Sequence, residues 1–567
     1  DLYELRTWLP ASERAFDPVE LGAEAHIPIN HARVKTIGPA YDKSVSSLAA
    51  KLWLIENAQH TVDAVYYIFA TDHAGYAVLG AMCNAVKRGV DVRIMVDSLG
   101  SMRLLHSELR ALETCADEAG FIRNASGQVT TKKARAQVVI FNAFTKFQFN
   151  RRSHDKLLIV DGFFPDKAVV MTGGRNISLD YYGINEDGSK DPTAFRDMEI
   201  IIRPGERSAD EEYTVGTVTG IYYSLVFAHH GNRRIWPYEA DDEFSEGKYE
   251  DVYITERKKS QESLAFLKSL PDMKKHMDAM PRFMREGFHD SKVRLAHQLS
   301  NLINTDVTTN VEENEERNPN SIMYILSKLL EESNKRGIKS GTLRIVSPYI
   351  FIGKYYNDDG EVIYDGAKTM RDYLRDRPDA RIEIVTNSVM TSDNAFTQAV
   401  IDLDMAPRLL LTPELQKTWA SSLEDSELNP DVVESDEWKR MINHPQIFIY
   451  QTGGLDSVYL GGDVVYGKLH AKFIVGERLG FIGTSNFDYR SNLYNNEMGF
   501  FFQSDGARQE FVDVFNELKA TSYRWGTPEW LKMRRELMDG DSKKSGPTRK
   551  QRTKLKWIRG LGIEYLM

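Results

Sequence analysis

The feature that most narrows what this chain can fold into is a repeated order of parts. A strand-like run at Asp63–Ala70 (DAVYYIFA) leads into a helical pattern over Tyr76–Lys87, then into VDVRIMVDS over Val90–Ser98. The same order returns with LRIVSPYIF from Leu343, a helical stretch near Ala367–Leu374, and ARIEIVTNS over Ala380–Ser388. Apolar runs of this length separated by helical patterns predict parallel strand–helix–strand units. Each half next supplies a short apolar strand, at Ala136–Phe141 and Pro445–Tyr450, and then a strand–turn–strand segment, at Ser153–Asn176 and Leu469–Asn486. Each closes on a carboxylate entering an apolar strand, Asp197 before MEIIIRP and Glu497 before MGFFFQ. With 567 residues, the chain exceeds the roughly 250–300 that one core can serve, so a duplicated α/β fold accounts for its size. The expected divisions are an N-terminal lobe over 1–230, a charged, partly helical connector over 231–335, a C-terminal lobe over 336–540 and a basic amphipathic tail over 541–567. Within the connector, helical patterns fall near Ser260–Leu267 and Val293–Leu302, with an acidic patch at Glu312–Glu316. The acidic segment Glu424–Glu437 is expected to be a solvated loop.

The repeats carry matched chemistry. His154 and Lys156 are two residues apart on a predicted strand, as are His470 and Lys472, so each imidazole shares a strand face with a cation. Asn176 and Asn486 each follow a glycine-containing turn, Gly173-Gly174-Arg175 and Gly483-Thr484-Ser485. Ammonium and amide donors suit the oxygens of a phosphodiester as charge builds on them. One neutral imidazole can attack phosphorus while a protonated one serves the leaving alkoxide and later deprotonates water or an alcohol. Two identical groups need different surroundings to differ in protonation, and Asp197 and Glu497 are the candidates for setting them. A duplicated fold explains matched apolar strands, but packing gives no reason for His, Lys and Asn to recur together.

These residues resemble the phospholipase D superfamily, whose HxKxxxxD signature is met by His154, Lys156 and Asp161. The second copy keeps His470 and Lys472 but has Glu477 at the acid position. Opposite strand parity gives Asp161 and Glu477 a supporting role behind the site. Segments such as NRRSHDKLLIVDG, GGRN, SPYIF, TNS and GTSNFDYRS are similar to the bacterial cardiolipin synthase-like branch. The resemblance implies two similar lobes, each a mixed sheet flanked by helices, with one active site at their interface. It implies a phosphohistidine reaction without metal or other cofactor. His154 would be the nucleophile and His470 the general acid and base, while Lys156, Lys472, Asn176, Asn486 and Thr484 would hold the phosphate. The substrate would be a glycerophospholipid at a membrane surface, and the acceptor a glycerol-type alcohol or water, giving transfer or hydrolysis to phosphatidic acid.

A net charge of −10 lacks the basic footprint of a sequence-independent nucleic-acid binder, so no nucleic-acid partner is expected. A nuclease of the same superfamily and a lipid-binding protein with impaired catalysis, suggested by Glu477, are the alternatives. No run approaches the ~18 apolar residues of a membrane span. Eight basic residues between Lys543 and Arg559, followed by Leu561 and Ile563, read either as an anchor for anionic lipid or as a disordered polybasic end. Cys83 and Cys115 make no disulfide framework and no thiolate zinc site, and Cys83 reads as core. His73 beside Asp72, and His229-His230, read as solvated or locally bonded rather than as metal ligands. The resemblance points to the bacterial envelope, peripheral to membrane; the sequence begins at Asp1 rather than Met, leaving room for an upstream signal or anchor.

Overall fold

The computed structural model describes residues 2–103, 105–143, 149–207, 211–237, 246–422 and 430–567. The chain divides into two compact units, Asp1–Ile303 with Asn495–Ala507, and Asn304–Tyr494 with Arg508–Met567.

In the first unit, sheet order runs Arg233–Ile235, Ala136–Phe141, Asp91–Asp97, Thr61–Tyr66, Lys156–Val160, Val169–Gly173, Glu199–Pro204, Asn30–Ile37, His289–His297 and Met498–Gln503. The three strands from Ala136 to Tyr66 in that order are parallel, and the rest of the sheet runs antiparallel. Strands Thr61–Tyr66, Asp91–Asp97 and Lys156–Val160 are buried at every residue, as sheet covered by helices requires. The helix His73–Lys87 starts where Asp72 accepts from the amides of Ala74 and Gly75. In the second unit the order is Gly480–Gly483, Phe473–Val475, Ser340–Val346, Asp379–Thr386, Ile447–Thr452 and Ser522–Arg524. This reproduces, strand for strand, the first unit from Val169–Gly173 to Arg233–Ile235. Four buried tryptophans, Trp419, Trp438, Trp525 and Trp530, pack beneath it.

Several sequence expectations are corrected. Val293–Leu302 is not helical: His289–His297 is a strand and only Leu299–Leu302 forms a short 3₁₀ turn. Ser291, Val293 and Leu295 are buried while Asp290 and Lys292 are exposed, a period of two. The span 231–335 is not a separate connector, since the units divide at Ile303. Its helix Glu246–Ser269 lies on His73–Lys87, where Gly80 leaves room for Ser260 O and Tyr76 donates to Glu256 at 2.6 Å. Glu312–Glu316 falls in the helix Val311–Glu316. Residues 238–245 and 424–429 lie outside the described residues, but Pro430–Val433 and Asp436–Ile442 are helical and bury Trp438 and Ile442, so this part is no solvated loop.

The basic tail is folded, which excludes the disordered reading. Helix Gln551–Gly560 buries Leu555 and Ile558, and Gln551 donates to the buried carboxylate of Asp402 at 2.9 Å. Cys83 is core, as expected, but it pairs with Cys115 in a disulfide joining the helix His73–Lys87 to the turn after Ser107–Thr114.

Candidate active site

The strand expected to carry His154 begins only at Lys156, so the histidine stands in the segment entering it. That segment is held from two sides. The Ser153 amide donates to Asp97 Oδ2 at 3.1 Å, and residues 152–154 exchange backbone bonds with Asn496: His154 N to Asn496 O at 3.0 Å and Asn496 N to Arg152 O at 2.8 Å. This backbone clamp brings the next residue, Glu497, onto the imidazole. His154 Nδ1 lies 3.0 Å from Glu497 Oε2, with the carboxylate fully buried. The acid that closes the second repeat therefore serves the histidine of the first. The Tyr67 ring meets the imidazole edge-on at 4.9 Å.

Lys156 is buried beside this pair. Its ammonium donates to His154 O at 2.7 Å and lies 5.6 Å from the Tyr67 ring centroid, and its two other N–H groups have no hydrogen-bond acceptor among the described residues. Burial lowers its pKa to about 8, against the charges of Glu497, Asp197, Asp155 and Asp97, which hold it up. Such a cation gains from an anion placed on its open side.

Asp197 is buried and accepts from the Met198 amide at 2.7 Å. It lies so close to Gly174 that a Cβ there would meet Asp197 Oδ1 at 2.0 Å, which is why this position cannot carry the side chain that Thr484 has in the other copy. Asn176 has its oxygen on the Ile68 amide at 3.0 Å and donates to Tyr181 at 2.8 Å, leaving one amide hydrogen. Asp161 points away from the histidine. In a left-handed turn, φ 52°, it accepts from the amides of Gln59, His60 and Thr61 at 2.7–3.0 Å, pinning the start of the Thr61–Tyr66 strand.

In the second unit, His470 and Lys472 precede the strand Phe473–Val475, and Lys472 Nζ lies 3.0 Å from His470 Nδ1. Asn387 clamps the residue before the histidine, donating to Leu469 O at 2.9 Å and accepting from Leu469 N at 3.0 Å. Thr484 is buried, and Asn486 keeps a buried side-chain oxygen without a hydrogen-bond partner. Glu477 reaches the Thr342 amide at 2.9 Å, at the same place in the repeat where Asp161 works, though from an exposed position and with one bond.

Sequence reasoning passed over Asp97 and Asn387, which hold the residue ahead of each histidine. Their signal was available, because VDS and TNS put a polar residue and a serine at the same point of both repeats. Asp155 and Asn496 were also missed. Tyr222 donates to Asp155 Oδ2 at 2.6 Å and Asn496 donates to the same oxygen at 3.0 Å. Burial first, and the charge of Glu497 among its neighbours, raise the Asp155 pKa to about 8. The histidines set aside as metal ligands sit elsewhere: His73 bonds Ser263 at 2.9 Å and His229 stacks on Phe141.

Residues 52–187, which include His154, Lys156, Asp161 and Asn176, match the family described as "Cardiolipin synthase, PLD-like domain". Over these residues the chain is similar to a phospholipase D-like domain. Cardiolipin synthase C of Escherichia coli (strain K12) is 31% identical over 172 residues, 28% of this chain and 30% of that protein. Cardiolipin synthase 1 of Bacillus anthracis is 30% identical over 158 residues, 26% of each chain. The matched region thus spans under a third of these superfamily members. A crystal structure of phosphatidylserine synthase from Haemophilus influenzae Rd KW20 shares the fold, with TM-score 0.52 and 12% identity over 97% of this chain and 99% of that one.

Proposed function

We propose that this chain is a phospholipase D-type phosphatidyltransferase or phosphodiesterase that acts on glycerophospholipids through a phosphohistidine, passing the phosphatidyl group to a glycerol-type alcohol or to water. The observation that carries this reading is the buried His154–Glu497 pair beside a lysine with two unfilled donors. A carboxylate on Nδ1 keeps the proton there and leaves the Nε2 lone pair for attack, then stabilises the cation that attack creates. Nε2 forms a bond to phosphorus as the P–O bond to the head-group alcohol breaks, and His470 donates the proton that alkoxide needs. His470 next takes a proton from water or the acceptor alcohol, whose oxygen attacks phosphorus and releases His154. Lys156, Lys472, Asn176, Asn486 and Thr484 hold the phosphoryl oxygens in this reading, and Asp197 sets the surroundings of the site. No step calls for a metal or for nucleic acid.

The proposed work place is the bacterial envelope, at a membrane surface. No helix among the described residues is long and apolar enough to cross a membrane. In the second unit, Phe396, Trp557 and Leu561 are 38%, 54% and 55% exposed, and Lys550 and Lys556 are exposed on the same helical segment. The Phe396 and Trp557 rings lie 5.8 Å apart, with Lys554 Nζ 5.8 Å from the Phe396 ring. Aromatic groups beside lysines suit an anionic lipid interface.

Mass spectrometry of products tests the reading. Phosphatidylglycerol and phosphatidylethanolamine liposomes are incubated with the protein, with and without glycerol or ethanol, beside a His154→Ala control. Cardiolipin or a phosphatidyl-alcohol is expected for transfer and phosphatidic acid alone for hydrolysis. Full activity in His154→Ala would refute the assignment.

A further inference from the structure

A cavity of ≈ 420 Å³ opens in the first unit, at the end of the Glu199–Pro204 strand remote from Asp197. Six residues of extended chain separate Asp197 from Arg203, about 20 Å. Arg33, Arg203, Arg207, Asp166 and Thr214 contribute to its lining. Arg33 and Arg203 stand directly opposite each other on antiparallel strands. Like charges in that position destabilise a sheet. No ion pair relieves them: among the described residues none of the three arginines forms one, although Asp290 is in register with Arg33 on its other side and Arg33 and Arg207 are exposed. Arg203 spends one N–H on Met284 O at 2.7 Å. Burial and the Arg33 charge both lower its pKa. Thr214 caps the helix Val215–Phe227, accepting from the Thr217 amide at 3.3 Å, so the positive end of that helix reaches the cavity wall. Among the described lining residues the three guanidinium groups face one carboxylate, Asp166.

We propose that this cavity is a second anion site, for a ligand of the phosphate class, separate from the His154 site. Its volume is within the ~300–1,000 Å³ of small-ligand pockets. Guanidinium forks on facing strands offer paired N–H groups to tetrahedral oxygens. A bound phosphate converts the Arg33–Arg203 repulsion into two attractions to one anion. The phosphate could belong to a free ion or to the head group of a lipid.

The test uses the full chain and the Arg33→Gln/Arg203→Gln variant, neither residue having a part in the proposed reaction. Titration calorimetry with inorganic phosphate at constant ionic strength is expected to show one more site in the wild type than in the variant. Cosedimentation with phosphatidylcholine vesicles containing phosphatidic acid forms the second arm. A variant defect in the vesicle arm, with or without one in calorimetry, assigns lipid phosphate, and a defect with inorganic phosphate alone assigns the free ion. Equal behaviour in both arms overturns the proposal. In phosphate-free buffer at low salt the variant should melt no lower than the wild type, because a repulsion has been removed. A lower melting temperature there would make the arginines structural and would also overturn it.

Discussion

In the proposed reaction Glu497, 3.0 Å from His154 Nδ1, favours the proton on that nitrogen and leaves the other for attack. Glu497→Gln keeps the volume and removes the charge. Its kcat should fall about 10²–10⁴-fold with little change in KM, read by steady-state turnover of a lipid substrate. Asp155 makes the opposite kind of contribution. Its folded pKa is raised to about 8 from 3.8, so the folded state holds a proton that the unfolded chain releases above about pH 4. That contribution to stability is complete below the unfolded pKa and is lost as pH rises toward 8. Asp155→Asn, which mimics the protonated form, should therefore flatten the decline in urea stability between about pH 4 and 8. The lowered pKa of Lys156 acts only above about 8, outside that window. Parity alone could have found Asp155: in His-x-Lys the middle residue faces the core, and there the second copy has Ala471. That the site contains Asn496, by contrast, depends on a contact across the sequence that no local pattern carries.

Among the elements, the turn ending the Lys156–Val160 strand shows what the signature acid does. Asp161 satisfies three strand-entry amides, so Asp161→Ala should cost about 3 kcal/mol or more of unfolding free energy, while Glu477→Ala, which loses one exposed bond, should cost under about 1. Denaturant titration of both variants checks the ranking. The Cys83–Cys115 bridge closes a 32-residue separation, and loop-closure entropy gives it about 3–4 kcal/mol. Cys83→Ser/Cys115→Ser should lower stability by about that amount, and denatured wild type should show no free thiol before reduction. The spacing of two cysteines could not disclose this bond, since it depends on how the helix His73–Lys87 packs on the segment after Ser107–Thr114. Period-two burial in His289–His297 was legible in principle, but Arg294, Ala296 and the run into Leu299 blur it toward a helical pattern.

At the scale of the whole chain, the duplication was readable because each strand order is written in local apolar runs, and both units follow it. What local runs cannot show is exchange between the copies. Met498–Gln503, the closing strand of the second repeat, pairs with His289–His297 in the first unit and brings Glu497 with it. The folding of the tail was hidden for a similar reason: its basic residues dominate the sequence, while Gln551, Leu555 and Ile558, which fasten it to the second unit, are few. The central claim is that His154 carries the phosphatidyl group, with His470 returning it to the acceptor. The most direct measurement is tandem mass spectrometry of the His470→Ala variant, quenched after exposure to a phospholipid analogue with an aryl leaving group that needs no acid. The account predicts a phosphatidyl adduct accumulating on His154, absent from His154→Ala. An adduct on any other residue, or undiminished turnover in His154→Ala, would contradict it.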